Sequence, residues 1–117
     1  MSSTKLKVKF YKTDSGSEPV RDWLKQLDQI DKKIIGADIK TVQFGWPLGM
    51  PLVGFIESGL WEVRSRLHSQ RIARVLFLCE KDFMVLIHGF IKKQQKTPLP
   101  DLQLTRSRIK KLKGIIE

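Results

Sequence analysis

Three strand-like runs follow one another between residues 60 and 91, and the short gaps between them constrain the architecture more than any other feature of the chain. Leu60–Leu67 (LWEVRSRL), Arg71–Cys79 (RIARVLFLC) and Phe83–Ile91 (FMVLIHGFI) are separated only by His68–Gln70 and Glu80–Asp82. A parallel pairing needs a crossover of roughly a dozen residues or more, so gaps of this length demand antiparallel hairpins. In the first run, Leu60, Glu62, Arg64 and Arg66 fall on one face and Trp61, Val63, Ser65 and Leu67 on the other. The second is apolar on both faces from Val75 to Cys79, as a central strand would be. The third is apolar until His88. Charge is costly on a sheet that must also pack a core. Arg64, Arg66 and Arg74 on adjacent strands, with His88, Lys92, Lys93 and Lys96 at and beyond the end of the third, point to a surface that holds a polyanion.

Around this meander the patterning predicts helices and one more strand. Lys5–Lys12 alternates polar and apolar residues, with Leu6, Val8 and Phe10 on one face. After a turn at Thr13–Ser17, Glu18-Pro19 reads as a helix start that Ser17 can cap, and Val20, Trp23, Leu24 and Leu27 recur at helical spacing. Asp31 reads as the cap of a second helix with Ile34, Ile35, Ile39 and Val42 on its buried stripe. The two make a helical hairpin over roughly residues 18–28 and 31–44. Pro47, Gly49, Pro51 and Gly54 mark 45–54 as a loop, whose apolar Leu52 and Val53, with Phe55 and Ile56 beyond, either dock on the core or meet a partner. Thr97-Pro98 opens a last helix running to about Ile116, loaded with Arg106, Arg108, Lys110, Lys111 and Lys113. The expectation is one α+β domain over residues 1–117: an N-terminal strand and helical hairpin packed on a twisted, mainly antiparallel sheet, with a C-terminal basic helix.

The charge balance narrows the partners. The 117 residues hold 22 Lys and Arg against 12 Asp and Glu, a net charge of +10. The excess is concentrated in residues 60–117, with 13 basic against 5 acidic side chains, compared with 9 against 7 before them. Such a domain suits nucleic acid, anionic lipid or an acidic protein. No apolar run approaches the roughly 20 residues of a membrane span, and Lys5, Lys7, Lys9 and Lys12 interrupt any secretory core. The lone Cys79 permits no disulfide within the chain and fits a reducing cytosol. A cytoplasmic protein without membrane contact is therefore expected. The chain has no Gly-rich phosphate loop, no CxxC and no HExxH, so neither a cofactor nor a dedicated metal site is expected.

One chemistry fits the residues that remain. An RNA phosphodiester can be cut without a metal when its own 2′-hydroxyl attacks the neighbouring phosphate. A base must take the 2′ proton, cations must stabilise the charge that develops on phosphorus-bound oxygens, and an acid must protonate the leaving 5′ oxygen. The planar fork of Arg pairs with two phosphate oxygens at once. His, Glu, or a Lys depressed by neighbouring cations can move the protons. Arg64, Arg66, Arg74, His88, Lys92 and Glu62 supply these types. The same residues are also compatible with a solvated cationic face on which Glu62 is a cross-strand ion partner of Arg64 or Arg74.

In chain order, a strand, a helical hairpin, a Pro/Gly loop, then LWEVRSR, RIARVLF and VLIHGFIKKQQKTP before a basic helix resembles the RelE/HigB-type toxins of bacterial type II toxin–antitoxin systems, in particular the phage-derived branch of that RelE/ParE superfamily. The likeness spans essentially the whole chain. It is sharpest at Leu60–Arg64, Arg74–Phe77 and, most specifically, His88–Pro98. It implies a RelE-like fold and an mRNA interferase: an endoribonuclease that cuts mRNA in the ribosomal A site by 2′-hydroxyl attack and is neutralised by a helix-turn-helix antitoxin. Arg64, Arg66 and Arg74 match the phosphate-binding and transition-state positions, and His88, Lys92, Lys93 and Lys96 the basic end of the last strand. Lys93, Lys96, Arg71 and Arg106 are the expected RNA-binding residues. Where some members carry a tyrosine or aspartate as acid–base group, this chain has His88 and Phe90, its one tyrosine being Tyr11. His88 is therefore the first candidate for proton transfer, then Lys92 or Glu62. A superfamily relative that poisons gyrase and cuts no RNA sets the alternative, a non-nuclease toxin-like binding protein.

Overall fold

The computed structural model describes residues 5–92 and 96–114. In chain order the elements are β1 (Lys7–Phe10), α1 (Pro19–Gln26), α2 (Gln29–Gly45), β2 (Val53–Glu57), β3 (Leu60–Arg66), a 3-10 turn at His68–Gln70, β4 (Ile72–Glu80), β5 (Phe83–Lys92) and α3 (Leu99–Leu112). The strands form one five-stranded sheet in the order β1-β5-β4-β3-β2. As the short gaps require, β2 to β5 run antiparallel to their neighbours; β1 alone is parallel, pairing with β5 after the helical hairpin carries the chain away.

Two helical layers close the sheet. The stripes on α1 and α2 (Val20, Ile35, Ile39, Val42) bury against Val63, Val75, Phe77, Met84 and Leu86. On the opposite face, Leu102 and Ile109 of α3 pack over Leu60, Leu76 and Phe90, and Ile109 also meets Leu78, Val85 and Ile87. A register shift in β4–β5 makes this second face possible. Leu76 pairs with His88 but Phe77 pairs with Leu86, so Ile87 is an extra residue on β5. Such a bulge interrupts the alternation, which lets both Ile87 and His88 serve the α3 side. On the first face, α1 lies close because residue 89 is glycine: a Cβ there would sit 2.5 Å from the Trp23 ring.

Local details depart from the sequence reading at four places. The strand β2 lies at the end of the segment read as a loop, its Gly54 paired with Glu62; the density of Pro and Gly hid a short edge strand. Val53 docks on the core as one reading allowed, while Phe55 stays 61% exposed. Asp28 rather than Asp31 caps α2, accepting the Asp31 N–H at 2.9 Å. Ser17 does not cap α1; its own N–H is accepted by Thr13 Oγ1 at 3.1 Å. Thr97 caps nothing and instead reaches the sheet, as described below. The end expected near Ile116 lies outside the described residues. Among the described residues, no helix is long and apolar enough to cross a membrane.

Candidate functional site

The register of β3, β4 and β5 gathers all six candidate catalytic residues on the α3 side of the sheet, in three consecutive cross-strand rows. Glu62, Leu76 and His88 form the first, Arg64, Arg74 and Phe90 the second, and Arg66, Ile72 and Lys92 the third. Directly opposed residues share a face, and neighbouring strands lie about 4.8 Å apart, so each row spans roughly 10 Å. The middle strand sets Arg74 between the apolar Leu76 and Ile72, and the margins carry ionisable side chains except at Phe90.

Burial changes along the patch. At the first row Glu62 is 5% exposed and in the second Arg74 is 1% exposed, whereas Arg66 and Lys92 in the third are open to solvent. The start of α3 causes this gradient. Thr97 Oγ1 donates to Glu62 Oε1 at 3.2 Å, and Asp101 receives His88 Nε2 on one oxygen at 2.7 Å and Lys92 Nζ on the other at 3.1 Å. Glu62 also lies between two guanidinium groups, with Arg64 Nε 3.9 Å from Oε2 and Arg74 Nη1 4.0 Å from Oε1. Gly54 makes space for that carboxylate, since a Cβ there would sit 3.0 Å from Glu62 Oε2. Beyond the helix the patch opens into a cleft of about 410 Å3 lined by Arg64, Arg66 and Ile72, and an adjoining one of about 210 Å3 that adds Met50 and Pro51.

The electrostatics fix protonation states. Burial pushes the His88 imidazole below its ordinary range, and Asp101 only partly offsets this. Burial acts to raise the Asp101 carboxyl, but the hydrogen bonds from His88 and Lys92 outweigh it and hold Asp101 below the usual carboxylate range. At neutral pH the pair is thus a neutral imidazole on an ionised carboxylate. A carboxylate only accepts, so Nε2 carries the proton and Nδ1 is left as an acceptor, 3.5 Å from Arg108 Nη1. An imidazole oriented by a carboxylate through one nitrogen, with a lone pair on the other, is a competent base. Burial also lowers the Arg74 guanidinium, with Glu62 opposing and Arg64 adding to the effect; it stays charged, in a low-dielectric setting where its field is strong.

The expected RNA-binding residues are dispersed. Arg71 lines the 410 Å3 cleft with Arg64 and Arg66 while its guanidinium holds both oxygens of Asp31 on α2 at 2.8 and 3.0 Å, and Arg106 grips Glu57 of β2 at 2.7 and 3.1 Å. Lys96 is exposed in the bend before α3, and Lys93 lies outside the described residues. The sequence reading missed Asp101, Thr97 and Arg108, which α3 brings to the patch; Arg108 donates to the Ile87 carbonyl at 2.8 Å. One usable signal was an acidic residue in the first turn of an otherwise basic helix. Among the described residues, no group of three or more His, Cys, Asp or Glu side chains is placed to share a metal ion.

The family model described as Phage derived protein Gp49-like (DUF891) matches residues 22–110, which include all three rows of the patch and most of α3. No curated protein matches the chain.

Proposed function

The chain belongs to the Gp49-like family of phage-derived proteins, a toxin–antitoxin-associated family, and from that premise we propose that it is an mRNA interferase toxin of the RelE/HigB kind. It cleaves mRNA in the cytoplasm, on the ribosome, by 2′-hydroxyl attack, and a helix-turn-helix antitoxin silences it. The observation that carries this reading is the graded patch: arginines in two adjacent rows, exposed at Arg66 and partly buried at Arg64, both lining the cleft, and backed by buried Arg74 and Glu62. In the mechanism, Arg64 and Arg66 clamp the scissile phosphate from the open cleft. Glu62 holds Arg64 in place, and buried Arg74 sets the field against which charge on the phosphorus-bound oxygens develops. The Asp101-oriented His88 is the base, accepting the 2′ proton at Nδ1 once that atom's long contact with Arg108 gives way, and Lys92 at the solvent-facing row is the acid for the 5′ oxygen.

The test is induced expression with transcript 5′ ends mapped, for wild type against Arg64→Lys and Arg74→Lys. Lys keeps the charge but lacks the bidentate fork. The expected result is growth arrest with cut transcripts for wild type. Each variant retains RNA binding while losing cleavage by about 10²–10³-fold, the usual effect of removing one oxyanion-stabilising donor. Growth arrest with intact transcripts overturns the nuclease reading in favour of a non-nuclease toxin, and equal loss of binding and cleavage reduces the arginines to plain electrostatic contacts.

A further inference from the structure

A second basic cleft lies at the far edge of the sheet, away from the catalytic patch. It measures about 520 Å3, larger than either cleft beside Arg64, and runs between β1 and the end of α3, with Lys9, Phe10, Lys12, Glu18, Arg21 and Leu112 in its walls. A depression of about 240 Å3 shares Lys9, Val85 and Leu112 with it and extends it to Lys81 and Phe83. Lys9, Lys12, Arg21 and Leu112 all fall outside the residues that the family model matches, so the match assigns nothing to this cleft.

Three features together select the ligand. Cations outnumber carboxylates in the larger cleft, and its Glu18 is already bound to Arg21 Nε at 2.7 Å. The cations sit on aromatic rings: Arg21 Cζ lies 4.9 Å from the centre of the Phe10 ring and Lys9 Nζ 4.7 Å from that of Phe83. Both rings are half-buried and so held by packing. Finally, Lys9, Lys12 and Arg21 are all exposed in the wall of the cleft, so their charge is available to a ligand. Lysines on an edge strand also discourage strand addition, but that role requires neither the cleft nor the rings. Exposed cations beside an Arg–aromatic stack are what single-stranded nucleic acid uses, phosphates on the cations and bases on the flat stack. An acidic peptide would use the charge and leave the stack idle.

We propose that this cleft is a second, single-stranded RNA-binding subsite in which Lys9, Lys12 and Arg21 hold phosphates and a base stacks on the Arg21–Phe10 pair. The proposal rests on RNA as the ligand of the protein but needs no cleavage. The test is therefore fluorescence anisotropy of a short fluorescein-labelled single-stranded 2′-O-methyl RNA, which cannot undergo 2′ attack, over a salt series. The variant is Lys9→Ala/Lys12→Ala/Arg21→Ala, and the charge-matched control is Lys25→Ala/Lys33→Ala/Lys40→Ala on the exposed sides of α1 and α2, both checked for an unchanged thermal midpoint. The expected result is at least about tenfold weaker binding for the cleft variant, with the log–log salt slope smaller by about 2, the release expected for three lost phosphate contacts on a single strand; the control stays within about twofold of wild type. Equal losses in variant and control, or none in either, overturn the subsite. So does polyglutamate displacing the RNA from wild type but not from the cleft variant, which would make the cleft an acidic-peptide site. If the cleft variant loses binding while the wild-type protein leaves cellular transcripts intact, the subsite stands and only the nuclease reading falls.

Discussion

The face of the sheet that meets α1 and α2 is closed by Val63, Val75, Phe77, Met84 and Leu86, whereas the face that meets α3 encloses Glu62, Arg74 and the His88–Asp101 pair among a few apolar residues. Apolar burial on the first face is non-directional and roughly proportional to area, so it tolerates any arrangement that fills space. On the second face each charge is taken out of water only where specific partners receive it, and removal of a partner strands the other charge. The apolar contacts of the first face supply stability that is indifferent to pH. The second face spends stability to hold charges in fixed positions at the edge of a cleft.

Phe77→Ala should open the widest gap between the two faces. Phe77 is fully buried on the apolar side, and its truncation is expected to remove about 3–5 kcal/mol, read as a lower midpoint in urea unfolding at unchanged slope. A loss under about 1 kcal/mol would mean that this face is not the main apolar core. Gly89→Ala is the next in size. A methyl driven into the Trp23 ring must shift α1 or the strand, at a cost of about 1–3 kcal/mol, and a neutral effect would show that α1 is free to slide.

The smallest effect discriminates best, because it concerns pH. In the fold, His88 is depressed below its unfolded value near 6.5. Between that value and the lower folded one, the unfolded chain binds more protons, so stability falls as the solution is acidified through this window. Asp101, also depressed, adds a further loss in the same direction at a pH below the ordinary carboxylate value of 3.8. Thermal midpoints measured from pH 7 to 5 should thus decline less steeply for His88→Gln than for wild type, while Phe77→Ala shifts the whole curve down without changing its shape. Parallel curves for wild type and His88→Gln would place the acid sensitivity elsewhere.

Much of this contrast was legible beforehand, for a specific reason. Strand alternation assigned Glu62, Arg64 and Arg66 to one face and Trp61 and Val63 to the other, and hairpin gaps this short leave little freedom in register. Glu62, Arg64 and Arg66 share a face as the alternation implied, whereas His88 and Lys92 join them there through the bulge at Ile87, which period two does not foretell. The ion partners of Arg71 and Arg106 were not legible, because charge along the chain does not reveal that Asp31 and Glu57 lie within reach. The strand β2 was hidden because Gly54 and the prolines before it lower β-propensity, although Gly54 is there to admit Glu62.

By itself, then, the sequence determined the antiparallel meander, the face each residue of Leu60–Leu67 occupies, the helical hairpin and the concentration of positive charge, since all of these follow from periods and gaps of a few residues. Only the tertiary structure decided how that charge is used. The docking of α3 set Asp101 between His88 and Lys92, put Thr97 on Glu62 and closed one end of the patch while leaving Arg64 and Arg66 in the wall of a cleft. Thr97 and Glu62 are 35 positions apart, and such a contact depends on where a whole helix comes to rest, a balance of burial and ion pairing that no local spacing encodes.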